Sequence, residues 1–211
     1  MARKRAAGFD NQRELIIEQA AALFARNGFP GTSMNEVAEA CGLSKAALYH
    51  YVSDKHQLLA NICEGHIERL CALVDEVAQQ DLEPEARLRL MVQRFVEEYA
   101  DAQNAHRVLT EDVKFLDTKD QKRILSGERR VVEAMAQAMI GVRPELQASK
   151  MAKPITMLLF GMINWMFTWL KPDGELTHER MAVVVSDLLF GGIGAVELEE
   201  AGRTGSKKKK R

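Results

Sequence analysis

An all-α fold of about nine helices is what this sequence predicts, and three observations carry the prediction. Apolar residues recur at helical spacing through most of the 211 residues, proline occurs only five times, and no alternating β-type run appears. Good helix formers, notably Ala, Leu, Glu, Arg and Met, are abundant, while aromatic residues make up only 6%. With 46% hydrophobic residues the chain can bury a sizeable core. The expected layout is a three-helix N-terminal domain over residues 1–54, opened by a basic flexible arm at 1–9. A C-terminal helical bundle follows over 55–200, and then a basic disordered tail over 201–211.

Asp10 or Asn11 is the expected cap of the first helix, which carries Leu15, Ile16, Ala20, Leu23 and Phe24 inward and stops near Asn27-Gly28. Two very short helices come next. Ser33 can cap the first of them, and Glu36, three positions on, can reach back to the cap's own N–H, which makes a capping box. Val37, Ala38 and Cys41 share one face. Gly42 supplies the residue type that ends a helix with positive φ, Leu43 plugs the corner, and Ser44 caps the second short helix. That helix turns Leu48 inward and leaves Lys45, Ala46, Ala47, Tyr49 and His50 outside. The layout is a helix-turn-helix. Its small alanines permit close approach to a DNA groove, and the remaining side chains can donate to phosphates or base edges.

Ser53 is the expected cap of a long helix running to about Gln80, with Leu59, Cys63, His66, Leu70, Leu73 and Val77 on one stripe. Pro84 suits the first turn of the next, which carries Leu88, Met91, Val92, Phe95 and Tyr99 inward. A short break is expected around Asn104, before Val108, Leu109, Val113 and Phe115. Thr118 then starts a long helix to Ile140, ended by Gly141. From Met151 to Leu170 only Thr156, Asn164 and Thr168 interrupt an apolar surface that runs round the whole helix. A helix of that kind must be covered on all sides, and a second subunit is the simplest cover. Thr177 caps the last helix, with Met181, Val184, Val185, Leu188 and Leu189 apolar; Gly191, Gly192 and Ala195 suit close approach across a two-fold axis. The fold is therefore expected to be dimeric through its last two helices.

Charge is unevenly placed behind a net value of −1. Residues 1–60 hold seven Lys/Arg and six Asp/Glu, residues 201–211 hold six basic residues and no acidic one, and residues 61–200 hold 16 basic against 24 acidic. An acidic body with basic ends suits a protein that meets nucleic acid through its N-terminal part. Three cysteines without paired spacing point to a reducing cytoplasm, and Met1 to Asp10 lacks the apolar core of a secretory signal. The most apolar run, Met157 to Leu170, falls short of the ~20 residues of a membrane-spanning helix. A cytoplasmic protein with no membrane partner is expected.

The run Leu48-Tyr49-His50-Tyr51-Val52, followed by Ser53-Asp54-Lys55, resembles the signature of TetR-type bacterial transcription regulators. The resemblance implies a homodimer that presents its second short helices to successive major grooves of a near-palindromic double-stranded operator, and acts by repression. It implies that Lys45, Ala46 and Ala47 face base edges, that Tyr49, His50 and Lys55 hold phosphates, and that Thr32 or Ser33 adds a phosphate contact; Ser44 caps the helix that carries them. Ala46 and Ala47 depart from the Gly or polar residues often found there, which favours thymine-methyl contacts or shape readout.

Large apolar side chains in the bundle, Phe95, Tyr99, Phe115, Met139, Met162, Trp165 and Trp169 among them, can line an adaptable pocket for a small molecule. The stretch from Asn164-Trp165 through Trp169 to Pro172-Asp173-Gly174 resembles TetR-family repressors of fatty-acid, steroid or aromatic-acid breakdown that respond to acyl-coenzyme A thioesters. That resemblance implies an acyl group among these side chains and a nucleotide end near Arg129 or Arg130.

Other chemistries fare worse. Cys63 and His66 lie three apart, but no second ligand pair accompanies them and both fall on a core stripe, so packing outweighs metal binding. No Gly-x-Ser-x-Gly, His-Glu-x-x-His or Gly-rich phosphate loop is present. Neighbouring Glu111 and Asp112 diverge by ~100° on a helix and read as a solvated face. Neither an enzyme nor a resident cofactor is expected. The rival readings are an architectural DNA binder without an effector and an all-helical enzyme with an incidental helix-turn-helix.

Overall fold

A computed structural model describes residues 2–171 and 174–194, with side chains from Phe9 onward. Among the described residues there are ten α-helices, two 3-10 turns and no strand. The helices are α1 (Ala2–Asn27), α2 (Met34–Ala40), α3 (Lys45–Leu48), α4 (Lys55–Ala78) and α5 (Pro84–Asp101). They are followed by α6 (Gln103–Asp112), α7 (Thr118–Val142), α8 (Glu145–Ala148), α9 (Ala152–Asn164) and α10 (His178–Ile193). The 3-10 turns are Val113–Phe115 and Met166–Thr168. None of these helices is long and apolar enough to cross a membrane.

By packing, the chain divides into two units: Met1–Ala72 with Glu98–Arg129, and Leu73–Glu97 with Arg130–Arg211. The first unit buries Ile16, Ala20, Phe24, Val37, Leu48, Leu58, Leu59 and Ile62. The second buries Leu88, Met91, Val92, Phe95, Met135, Met139, Leu159 and Phe160.

Several boundaries differ from expectation, each for a local reason. α1 begins at Ala2 rather than at Asp10 or Asn11, because Ala2 to Ala7 is a run of strong helix formers that extends the helix backward. Leu15, expected inside, is exposed. α4 is capped by Asp54, not Ser53: its Oδ1 accepts the Gln57 N–H at 2.9 Å, a carboxylate at the positive end of a helix. That bond holds the Asp54 carboxyl below the usual range. The break before α6 falls at Ala102, two residues earlier than Asn104. Gly141 lies within α7, whose end is followed by the unforeseen α8 and by Lys150 at φ 58°.

The helix expected over 151–170 ends at Asn164. Beyond it the chain tightens into the 3-10 turn, with the Thr168 hydroxyl donating to the Trp165 carbonyl at 2.7 Å and the Leu170 N–H donating to the Met166 carbonyl at 2.8 Å. α9 buries Ala152, Ile155, Thr156, Leu159, Phe160 and Ile163, and leaves Met157, Leu158 and Met162 exposed. α10, capped by the Thr177 hydroxyl on the Arg180 N–H, buries Ala182, Val185, Ser186 and Leu189 and exposes Val183, Val184 and Leu188. Gly191 and Gly192 continue α10 rather than ending it. Ala195, Pro172, Asp173 and the tail at 201–211 lie outside the described residues.

Candidate nucleic-acid interface

The helix-turn-helix is built by its caps. Ser33 Oγ accepts the Glu36 N–H at 3.3 Å, and Glu36 Oε2 accepts the Ser33 N–H at 2.7 Å, so two donors left over at the start of α2 are satisfied at once. The Ser33 backbone N–H is the main reason the Glu36 carboxyl sits below the usual carboxylate range. Gly42 takes φ +65°, where a Cβ would be strained, and lets the Leu43 N–H return to the Ala38 carbonyl at 2.9 Å. Ser44 Oγ then accepts the Ala47 N–H at 3.1 Å and starts α3.

α3 itself spans one turn, but the winding carries on through hydrogen bonds from Tyr49 N–H to the Lys45 carbonyl and from Tyr51 and Val52 N–H to the Leu48 carbonyl. Leu48 is wholly buried and pins this turn to the domain core. Lys45, Ala46, Tyr49 and His50 are exposed and Ala47 is half-buried. The ring of Phe9 from α1 stacks on Tyr51 at 4.6 Å. Lys45, Ala46, Tyr49 and His50 form one exposed strip, an ammonium and two polar rings beside a small alanine, and a helix turn so presented can enter a major groove.

Two expected phosphate contacts are placed differently. Thr32 is 2% exposed, and its hydroxyl donates to the Gly28 and Leu23 carbonyls at 3.1 and 3.3 Å. Its side chain is therefore part of the turn that precedes α2. Lys55 Nζ donates to the Phe29 and Thr32 carbonyls at 2.7 and 2.8 Å and lies 4.4 Å from the Phe29 ring centroid. The ammonium thus ties the start of α4 to that same turn. Ser33 remains exposed.

Asp112, expected with Glu111 on a solvated face, is a buried residue of the site. It lies three and four residues beyond Leu109 and Val108 and so continues their buried stripe, the signal that could have revealed it. It is 6% exposed, and its Oδ2 accepts the Phe29 N–H at 3.2 Å. Burial raises its carboxyl above the usual range, and the Phe29 bond opposes that. Glu111 beside it does face solvent, paired with Arg107.

The expected ligand residues are divided between the two units. Tyr99 and Phe115 belong to the first unit: Tyr99 stacks on His106 at 3.7 Å and Phe115 on Phe29 at 5.4 Å. Phe95 and Met139 are wholly buried in the second unit, with Phe95 edge-on to Phe160 and Met139 Sδ 3.5 Å from the Thr156 hydroxyl. Met162, Trp165 and Trp169 are exposed by 37%, 66% and 47%. The 3-10 turn Met166–Thr168 separates Trp165 from Trp169. Arg130 is paired with Asp75 at 2.6 Å, and Arg129 is exposed. A cleft of about 970 Å³ in the first unit is lined by none of these; its walls include Arg13, Glu18, Glu68, Arg69, Glu98 and Asp101. Ile17, Ala21 and Ile62 share its walls with these charged side chains.

Cys63 and His66 are core residues. His66 Nε2 lies 3.2 Å from His106 Nδ1, and burial pushes the Cys63 thiol up to about 12. Among the described residues no group of three His, Cys, Asp or Glu side chains is arranged to hold a metal ion.

Residues 16–62 match the family described as bacterial regulatory proteins, tetR family, and residues 81–193 match that described as the tetracyclin repressor-like C-terminal domain. A TetR-family transcriptional regulator from Bordetella parapertussis has a similar solved structure (TM-score 0.82) at 33% identity, covering 88% of this chain and 97% of that one. AibR, solved in complex with isovaleryl coenzyme A and operator DNA, is similar at TM-score 0.72 and 27% identity over 85% of this chain and 98% of its own. The repressor KstR2 of Rhodococcus jostii is 22% identical over 191 residues, 89% of this chain and 94% of that one. With its capped helix-turn-helix and a helical C-terminal part that both match, the chain belongs to the TetR family of DNA-binding transcription regulators.

Proposed function

We propose that the protein is a ligand-responsive repressor, acting in the cytoplasm as a homodimer on a near-palindromic operator. Residues 1–54 carry the DNA contacts, and residues 55–200 carry the effector and the partner subunit. The observation that carries this reading is the strip Lys45, Ala46, Tyr49 and His50, exposed on a turn that Ser44 caps and Leu48 anchors. Lys45, Ala46 and Ala47 meet base edges, and Tyr49, His50 and Ser33 hold phosphates. Lys55 acts one step back, by fixing the turn before α2.

The exposed apolar residues Leu158 and Met162 on α9, and Val184 and Leu188 on α10, each lie four apart on one helical face. Apolar stripes of this kind favour a second copy packed against them. Such a dimer sets two recognition turns at one helical repeat of DNA, ~34–36 Å, or a multiple of it.

For the effector, an acyl-coenzyme A thioester is supported by the likeness to AibR, whose solved complex contains isovaleryl coenzyme A. Phe95 and Met139 are packed core, so an acyl chain enters the second unit by displacing side chains, and an unbranched methionine yields at least cost. The ligand acts by binding one arrangement of the two recognition turns better than another.

Footprinting on the DNA upstream of the protein's own reading frame tests the reading. One protected near-palindrome, released by isovaleryl coenzyme A or a longer acyl thioester, is the expected result. Uniform coverage would assign the architectural role, and protection unmoved by a series of acyl thioesters would remove the effector class.

A further inference from the structure

Phe29 is a meeting point of three chain segments that the helix-turn-helix pattern does not include together. Its ring is 5% exposed, stacked on Phe115 at 5.4 Å, and edge-on to Phe24 and His56 at 5.3 and 5.1 Å. Its N–H donates to Asp112 from the end of α6, and its carbonyl accepts from Lys55 at the start of α4. Thr32, three residues on, accepts from the same ammonium and directly precedes Ser33, the cap of α2. The backbone groups of one short turn are thus held from both sides by ionisable partners, a buried Asp112 and a half-buried Lys55, which make the strong class of hydrogen bond.

We propose that Asp112 is a positioning residue for operator binding, fixing the pose of α2 and α3 from outside the helix-turn-helix by holding the Phe29 turn. This rests on the regulator reading above. Without the carboxylate, the Phe29 N–H is buried with no acceptor, a cost that opens the turn. α2 and α3 then spend only part of their time in the pose that fits a groove, and the apparent affinity falls by that fraction. Non-specific binding, governed by charge rather than pose, changes little. A displacement of α6 or of the Val113–Phe115 turn reaches the recognition turn by this route.

The test compares wild type, Asp112→Ala, Asp112→Asn and Val92→Ala, a cavity variant in the second unit, on operator DNA and on a scrambled duplex, with hydrogen exchange across residues 29–41. Asp112→Ala is expected to weaken operator binding roughly tenfold, leave the scrambled duplex within about threefold, and speed exchange in α2. Asp112→Asn keeps an acceptor for the Phe29 N–H and restores all three readouts. Unchanged operator affinity in Asp112→Ala would overturn the proposal, and so would an equal loss in Val92→Ala, which would mark general destabilisation. If Asp112→Ala does not fold, Asp112→Leu, which fills the space without an acceptor, takes its place with the same expected and overturning results. Should wild type show no operator preference, the regulator reading fails, and exchange in α2 alone then decides whether Asp112 holds the turn.

Discussion

Nε2 of His66 and Nδ1 of His106 lie 3.2 Å apart in the interior of the first unit, each ring almost wholly buried. One nitrogen donates and the other accepts, so the contact is a hydrogen bond as long as at least one of the two rings is neutral. Burial lowers both pKa values, that of His106 to about 3, where the His66 charge adds to the effect. Glu98 opposes the shift at His66, 3.6 Å away, while Arg69 reinforces it.

The pH dependence follows with a definite sign. An unfolded histidine takes its proton near pH 6.5 and a buried one much later, so stability is full above pH 6.5 and declines toward acid. For His106 the loss amounts to about 2 kcal/mol by pH 5, and it continues down to about pH 3. His106→Phe keeps a ring against Tyr99, and should lower stability at pH 7 but make the decline between pH 7 and 5 shallower, as read by urea unfolding at each pH.

Gly127 on α7 sits against Ile67 on α4 so closely that a Cβ would fall 2.1 Å from Ile67 Cγ2. Gly127→Ala should therefore destabilise by ~1–3 kcal/mol despite its better helix propensity. Adding Ile67→Ala should recover part of that loss, a non-additivity that a double-mutant cycle in denaturant would measure.

Ser44 supplies the side-chain cap of a helix only four residues long. Ser44→Ala should cost ~1 kcal/mol, and should weaken operator binding more than Ser33→Ala does, because α3 itself carries the exposed strip. Thermal melting and a fluorescence titration against the footprinted operator would check both.

Lys55 gives up two charged hydrogen bonds in Lys55→Met. The expected result is a loss of ~1–3 kcal/mol in stability with the salt slope of operator binding unchanged. A slope lowered by ~1 would show instead that the ammonium reaches a phosphate.

Leu158 and Leu188 are 71% and 62% exposed. Leu158→Asp with Leu188→Asp should convert a dimer to a monomer with little change in helix content, measurable by sedimentation and circular dichroism, and should abolish tight operator binding.

Much of the DNA-binding element was legible because its signals are local. A capping box, a positive-φ glycine and a second capping serine act over three or four residues, and the structure contains all three. The all-helical class was legible for the same reason. The inward placement of Thr32, Lys55 and Asp112 was not, since Leu23, Thr32 and Phe29, which they bond, lie 9, 23 and 83 residues away in sequence. Nor could spacing reveal that Trp165 and Trp169 flank a 3-10 turn, because hydrophobic periodicity looks alike until the backbone tightens.

The sequence by itself determined the helical fold, the helix-turn-helix and the strip it exposes, because capping and periodicity depend on residues within one or two turns of each other. Only the tertiary structure decided which polar side chains look outward to DNA and which are spent holding the Phe29 turn. It likewise separated the apolar residues that fill the two cores from those left on the faces of α9 and α10. Burial is a property of segments brought together from distant parts of the chain, and no local pattern encodes it.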